Sequence, residues 1–346
     1  MELCYLLLSG VLCLLIAWFI KHLISRPKNL PPGPTGFINV AWQLFSKGSS
    51  DPLALFSSWA KKYGEIVSFY VGTKTIVILN SYPVIVEAFR HPDLQDRLQS
   101  QLLQEILGLK NCGMKSFHFG SMDYMAIQSP SSDIASSFSK IQLIGCINDL
   151  FYAGSETTTT TLKWCILFMM AYPKVQSRVQ DELDHVVGRE RTPRLDDMKD
   201  LPCTNAVLLE VQRMGSIAPL GVPHVAAADT NIRGYTIPKG AVIVSNIYEV
   251  LNSEDLWTDP SDFKPERFLT ADGDLINREE LIFFGTGRRV CLGEQLARME
   301  TFLGFTSLLQ RFTFQKPDSS PTLSFDGILG FTRNPLPYQT RAVVRV

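Results

Sequence analysis

The sequence predicts a mostly α protein of the α+β class, with small antiparallel sheets and an N-terminal transmembrane helix. Three observations predict it. The chain opens on an uncharged apolar run; its second half carries long segments of helical apolar spacing; and short β-branched runs flank glycine turns, apart from the helices. Helices and strands that segregate along the chain, rather than alternate, give α+β rather than a parallel α/β sheet.

Composition narrows the function. The chain has 346 residues and a formal net charge of −1, so no basic excess argues for nucleic acid. Hydrophobic residues at 45% and charged residues at 19% exclude a disordered chain. A single long apolar run excludes a polytopic transporter. The cysteines, Cys4, Cys13, Cys112, Cys146, Cys165, Cys203 and Cys291, form no C-x-x-C pair, which removes zinc-ribbon and thioredoxin readings. Their scatter fits a reducing, cytosol-facing environment.

Leu3 to Ile20 is free of charge. As a helix it would be about 27 Å long, near the hydrocarbon thickness of a bilayer. Lys21, His22, Arg26 and Lys28 follow it and only Glu2 precedes it, which places the rest of the chain in the cytosol. A cleaved secretory signal fits less well, because a basic start and a small-residue cleavage site are missing. Pro31-Pro32-Gly33-Pro34 cannot continue a helix and reads as a stiff hinge.

Apolar spacing predicts a helix from Asp51 to Tyr63, ended by Gly64. Ile66–Val71 and Thr75–Leu79 around Gly72-Thr73-Lys74 read as a hairpin. Ser81 is placed to cap a helix reaching Arg90. Arg97 to Phe138 is weakly patterned, with a short helix expected at Leu102–Leu109 and a serine-rich loop at Ser129–Ser139. Ile141–Tyr172 is a long helix closed by Pro173. The stripe Val175, Val179, Leu183, Val186 marks the next, stopped by Gly188. Asn205–Met214 is a third helix. Short strands are expected around Tyr235, Ile237 and Ala241–Ser245, a last helix from Gln295 to Gln310, and a hairpin at Gly330–Pro337 with prolines in its turn.

The strongest motif is Phe284-Gly285-Thr286-Gly287-Arg288-Arg289-Val290-Cys291-Leu292-Gly293, with the spacing F-x-x-G-x-R-x-C-x-G. Its chance occurrence in a chain this long is about one in ten thousand. A cysteine in a glycine-rich loop can aim its sulfur at a metal, with backbone N–H groups tuning it. Arg289, two residues away, favours thiolate and can meet a ligand's carboxylate. Inside the long helix, Ala153-Gly154-Ser155-Glu156-Thr157-Thr158 combines a glycine with hydroxyl residues, poor choices for a helix interior. A threonine there can divert a backbone carbonyl and open the helix locally. Glu210-Val211-Gln212-Arg213 is an E-x-x-R pair one turn apart, in isolation no more than a solvated salt bridge.

The cysteine loop resembles the haem-binding signature of the cytochrome P-450 haem-thiolate monooxygenases, of the microsomal animal type and similar to family 2. The resemblance implies that Cys291 is the axial ligand of the iron of haem b, and that Arg289 pairs with a haem propionate. It implies that Phe284 packs over the proximal side, and that Gly287 and Gly293 shape the loop. Thr157 resembles the threonine that supports proton delivery to oxygen, and Glu156 the adjacent acid. Glu210, Arg213 and Arg267, the last from Pro265-Glu266-Arg267-Phe268, resemble the family's structural Glu–Arg–Arg cluster, which braces the core under the cysteine loop. Gly221-Val222-Pro223-His224 resembles the strand beside the haem, with His224 reaching a propionate.

The resemblance covers Pro31 to Arg97 and Ile141 to the C-terminus. Family members are longer, and the deficit falls between Pro34 and Ala153, where substrate-roof helices and a propionate-binding W-x-x-x-R helix are expected; Arg97–Phe138 has no Trp. Without them, faces bearing Leu143, Ile147, Phe151 or Leu162 would meet water, each at about 1.5–3 kcal/mol. The expected organisation is a membrane anchor over 1–22, a proline-rich hinge over 23–36 and a sheet-and-helix part over 37–96. An irregular segment over 97–138 and a haem-binding core over 139–346 follow.

The resemblance further implies a single-pass endoplasmic reticulum protein with its catalytic part in the cytosol. It would insert one atom of O2 into a small apolar substrate, with electrons from NADPH through NADPH–cytochrome P-450 reductase and with cytochrome b5 as a second donor, in a form impaired by its shortening. Two other readings stand beside this: a non-catalytic truncated form that binds haem poorly or competes for the reductase, and a haem-thiolate peroxide isomerase that needs no reductase. Thr157 and Glu156 favour oxygen activation over the last.

Overall fold

The computed structural model describes residues 10–11, 13–14, 16–17, 29–34, 51–72, 74–97, 140–319 and 321–345. The apolar N-terminal run and the 97–138 segment therefore lie largely outside the described residues, as do the short helix at 102–109 and the serine-rich loop. The described residues at 10–17 are helical and exposed. Among the described residues no helix is long and apolar enough to cross a membrane.

Helix α1, Pro52–Tyr63, starts where Asp51 accepts the Leu53 N–H at 2.9 Å and ends at Gly64, whose φ of 99° suits glycine. Strands β1, Ile66–Val71, and β2, Lys74–Leu79, form the expected antiparallel hairpin. Pro31 to Pro34 lies against this hairpin. Ser68 donates its backbone N–H to the Pro32 carbonyl at 2.9 Å and its hydroxyl to the Pro31 carbonyl at 2.6 Å. A Cβ on Gly33 would sit 1.9 Å from the Ser68 carbonyl, so the close approach requires glycine. The described part of the hinge is thus pinned to the domain. Helix α2, Tyr82–Arg90, follows Ser81, but the Ser81 hydroxyl donates to Glu65 at 2.7 Å and does not cap it.

Strand β3 is Asp96–Arg97, and the long helix α3 runs from Lys140 to Ala171. Helix α4, Pro173–Val186, ends as expected: Gly188, at φ 75°, donates its N–H to the Leu183 carbonyl. Helix α5, Pro202–Gly215, starts earlier than its apolar stripe, because Pro202 suits a first turn. Strands β4, His224–Val225, β5, Thr230–Ile232, β6, Tyr235–Ile237, and β7, Val242–Ser245, precede the short helix α6, Ile247–Asn252. Helix α7, Glu294–Arg311, leads into β8, Phe312–Gln315. β9, Gly327–Leu329, β10, Arg333–Pro335, and β11, Arg341–Val344, complete the chain.

Two features differ from the expected sheets. The five-stranded sheet, in the order β1-β2-β7-β4-β3, is mixed rather than purely antiparallel: β2 and β7 pair parallel, Ile76 opposite Val242. In the C-terminal hairpin the turn falls at 330–332, and Pro335 lies within β10 opposite Gly327, so the prolines are not in the turn. A two-stranded hairpin tolerates proline on an edge.

The core divides accordingly. One cluster, with Trp164, Phe168, Leu183, Val211, Phe302 and Phe305, holds α3, α4, α5 and α7 together. The other, with Val77, Leu79, Ile85, Phe89, Ile243 and Leu251, fills the space between the mixed sheet and its helices. Leu162 packs against the first cluster and its side chain touches the position of Gly304, contrary to the expectation that it meets water. Ile147 and Phe151 are exposed as expected; the Leu143 side chain lies outside the described residues.

Candidate haem-binding site

Cys291 sits in the loop just before α7, held by its own N–H donating to the Phe284 carbonyl at 2.9 Å. The Glu294 N–H returns to the Cys291 carbonyl at 3.3 Å, and that of Ala297 to Gly293 at 2.8 Å, so the loop feeds directly into the helix. The residue is exposed. Desolvation by the loop nevertheless raises the thiol pKa; the Gly293 N–H pulls it down, and Glu294 adds to the rise. Arg289 is not among the groups that shift this thiol. Its Nε donates to the Gln95 carbonyl at 3.2 Å, turned towards the sheet.

Gly287 explains how the loop is placed. Its φ is 76°, and a Cβ there would meet the Phe89 carbonyl at 2.2 Å. No other residue lets the loop seat against α2. Phe284 is half-buried, edge-on to Phe283 at 5.0 Å, with the Arg298 guanidinium 5.0 Å above its ring.

The mixed sheet presents His224 to the same place. The β3–β4 register puts it opposite Arg97, and its Nδ1 lies 2.7 Å from the Leu94 carbonyl. Its ring stacks on Phe89 at 4.0 Å. Burial lowers its pKa to about 4, Arg97 and Arg289 add to the depression, and the Leu94 contact opposes it. No carboxylate counts among these groups. Arg97 and Arg289 thus set two cations beside a neutral His224, and the Gln95 Oε1 is buried without a partner among the described residues. Arg97 escaped the motif reading, because only strand pairing across a long separation brings it there.

Thr157 and Glu156 lie on α3 at a stretch that stays continuously helical. The Thr157 hydroxyl donates to the Ala153 carbonyl at 2.8 Å and Thr161 donates to Thr157 at 2.9 Å, so the hydroxyls back-bond without opening the helix. The expected local opening is absent. Glu156 accepts from the Thr332 hydroxyl at 2.7 Å, and Asn334 joins Thr332 to Thr160. No hydrogen bond or ion pair connects Thr157 or Glu156 to the cysteine loop among the described residues.

Glu210, Arg213 and Arg267 form the expected cluster. Arg213 and Glu210 pair at 2.7 Å with both side chains fully buried, and Arg267 reaches Glu210 at 3.1 Å. Arg213 also donates to the Leu251 and Pro260 carbonyls, and Arg267 to those of Thr258, Asp259 and Asp262. The cluster braces α5 against the 251–264 segment; none of these bonds reaches the cysteine loop.

The cysteine on its glycine-shaped loop and the buried Glu210–Arg213–Arg267 cluster stand where the family resemblance leads one to expect them. The Cytochrome P450 family profile matches residues 31–115 and 118–342, and the chain belongs to that family. The match runs through most of 97–138, further than the motif resemblance reached. Curated relatives include Cytochrome P450 2D20 of Mesocricetus auratus, 48% identical over 61% of this chain and 42% of that protein. Cytochrome P450 2D15 of Canis lupus familiaris is 40% identical over 75% and 54%. Human Cytochrome P450 2D6 is 47% identical over 61% and 42%. The chain thus matches about half the length of these relatives. A solved structure of a zebrafish cytochrome P450 with abiraterone superposes with a TM-score of 0.71 at 22% identity, covering 86% of this chain and 99% of that one. That likeness establishes the mostly helical fold with small sheets.

Proposed function

We propose that the chain is a haem-thiolate monooxygenase by descent, with residues 139–346 as its haem-binding core. The observation that carries the reading is an exposed cysteine on the same glycine-shaped loop as Arg289, with Arg97 and Arg289 both close enough to His224 to shift it. These residues fit haem b: a thiolate for the iron, and Arg97, His224 and Arg289 for propionate carboxylates. Haem with an axial thiolate supplies the electron-rich iron that favours O–O cleavage.

The protein's own groups do the rest. Cys291 Sγ gives up its proton on binding metal, which overrides the thiol's raised pKa. Gly293 N–H tempers the sulfur's charge. His224 gains a proton, or donates from its ring, once a carboxylate lies against it. Thr157 Oγ1 holds a proton that it can release from the Ala153 carbonyl to a group arriving in front of α3. Glu156, tethered by Thr332, places a carboxyl group one residue away.

Electrons would come from NADPH through NADPH–cytochrome P-450 reductase, with cytochrome b5 as a second donor, and the substrate would be small and apolar. The endoplasmic reticulum membrane is what the microsomal resemblance implies, with residues 1–22 as anchor and 23–36 as hinge; the basic flank of the apolar run supports the cytosolic orientation. Turnover is low in this reading, because Ile147, Leu150, Phe151 and Tyr152 stand exposed on α3. A site open to water weakens the electrostatics that oxygen chemistry needs. The same exposure supports a second reading, a non-catalytic form that retains haem poorly.

The test is a spectrum of the purified 346-residue chain, reduced and treated with carbon monoxide. A strongly red-shifted ferrous-carbonyl band is expected at substoichiometric haem, and Cys291→Ala should remove it. Persistence of the band in that variant would falsify the ligand assignment. Stoichiometric haem with full reductase-coupled turnover would overturn the impairment.

A further inference from the structure

The C-terminal hairpin meets α3 residue against residue. Glu156, Thr160 and Trp164 stand one helical turn apart on one face of α3, and Thr332, Arg333 and Asn334 of the hairpin bond to them. The Trp164 indole N–H donates to the Arg333 carbonyl at 2.9 Å and anchors the contact in the core. The other bonds form one chain of side chains. Thr160 donates to Asn334 Oδ1 at 2.9 Å, Asn334 Nδ2 to Thr332 Oγ1 at 3.0 Å, and Thr332 to Glu156 Oε1 at 2.7 Å. Thr160 and Thr332 are each 1% exposed, while Glu156 lies at the exposed end.

Every member of this chain except Glu156 both donates and accepts. A hydroxyl does both, and an amide presents a donor on one side and an acceptor on the other. As a carboxylate, Glu156 only accepts, so Thr332 must commit its one proton there. Asn334 must then offer Nδ2 to Thr332, which leaves Oδ1 for Thr160. That is the arrangement present. As a carboxylic acid, Glu156 donates instead. Thr332 then donates to Asn334 Oδ1 after the amide turns over, and Nδ2 donates to Thr160. Thr160 returns its own proton to the helix carbonyl one turn back, as Thr157 and Thr161 already do. Three side-chain bonds hold Glu156 in either state, and no proton passes along the chain.

A plain brace needs no such symmetry. A fixed donor, such as a backbone N–H or an arginine, would hold the carboxylate and lose the acid. We propose that Thr332 and Asn334 are positioning residues, which keep the Glu156 carboxyl at one place on α3 whether or not it carries a proton. The inference deepens the reading of Glu156 as the acid beside Thr157, and its bearing on turnover rests on that reading. The hydrogen-bond chain itself does not depend on haem.

Chemical denaturation of the full 346-residue chain at pH 7 tests the chain's polarity. Glu156→Gln, whose amide donates as the acid does, should leave the unfolding constant within about twofold. Asn334→Asp puts an acceptor-only group in the middle and imposes the reversed polarity; it should raise the unfolding constant about fivefold, and Glu156→Gln added to it should reverse the rise. The reversal should vanish in a Thr332→Val background, whereas bare repulsion between two carboxylates would still be relieved there. In the haem-loaded chain, Thr332→Val should raise the peroxide formed per NADPH consumed and Thr332→Ser should not, with the ferrous-carbonyl band unchanged in both. No reversal by Glu156→Gln, or a reversal undiminished by Thr332→Val, would overturn the proposal. A reversal that runs through Thr332, with the peroxide ratio unmoved by Thr332→Val and Glu156→Gln alike, would overturn the reading of Glu156 as an acid, and the positioning role would fall with it.

Discussion

Helix α3 lives in two environments. Its C-terminal half carries Trp164, Phe168 and Met169, all fully buried. Trp164 donates its indole N–H to the Arg333 carbonyl at 2.9 Å and lies 4.8 Å beneath that arginine's guanidinium. Phe168 stacks on Phe263 at 4.6 Å. Ahead of Thr157, Phe151 is 69% exposed, and Ile147, Leu150 and Tyr152 stand out with it. The residue types are alike in both halves. What differs is the partner: α4, α5, α7 and β10 cover one half, and no described element covers the other. An apolar helix records which surfaces its sequence was suited to, not which are satisfied in a given chain.

Four stability measurements and one kinetic measurement sharpen this contrast. The largest effects belong to the closed region. Arg213→Ala removes one of the two guanidiniums on the buried Glu210 carboxyl and leaves Arg267 against it, and should cost about 3 kcal/mol in chemical denaturation. Trp164→Ala should cost about 3–5 kcal/mol, whereas Phe151→Ala should stay within about 0.5 kcal/mol. Equal losses in the two α3 variants would break the contrast and place a hidden partner over Phe151.

A smaller effect sits at His224. Its pKa falls from 6.5 to about 4 on folding. Below 6.5 the unfolded chain takes up a proton that the folded chain refuses. Stability therefore falls as pH drops from 6.5 towards 4, by up to about 3 kcal/mol. Denaturation of wild type and His224→Gln at pH 7 and pH 5 checks this; the acid loss should shrink in the variant. Bound haem should shrink it too, by setting a carboxylate against the imidazole. Least affected in stability is Thr157→Ala, within about 0.5 kcal/mol, since alanine is the better helix former. In any preparation that turns over, product formed per NADPH should fall and peroxide rise. An unchanged ratio would remove Thr157 from the proton path.

What was legible in the sequence was local. The Gly64 and Gly188 stops, the Gly72 hairpin and the cysteine loop each depend on a few neighbouring residues. The Glu210–Arg213 pair was legible because a helical turn sets its spacing. Non-local geometry was not. The parallel pairing of β2 with β7 is formed by segments far apart in the chain, and it is part of the sheet in which Arg97 faces His224. Ser81 fits a capping position, yet its hydroxyl went to Glu65, a competitor that only the β1–β2 hairpin brings near. Arg289 turned to Gln95 rather than to the sulfur for the same reason. Leu162 looked orphaned because its partner, the small face at Gly304, lies on another helix.

The contact between Gly287 and Phe89 has a consequence in time. The ligand loop can take its shape only against a helix made far earlier. At ordinary translation rates of 5–20 residues per second, about 10–40 s separate the two on the ribosome. Through that interval the α2 surface waits without its partner, and the thiol site does not exist. In the proposed reading, haem capture then comes among the last acts of biogenesis, and a nascent chain stalled before Gly287 should hold none.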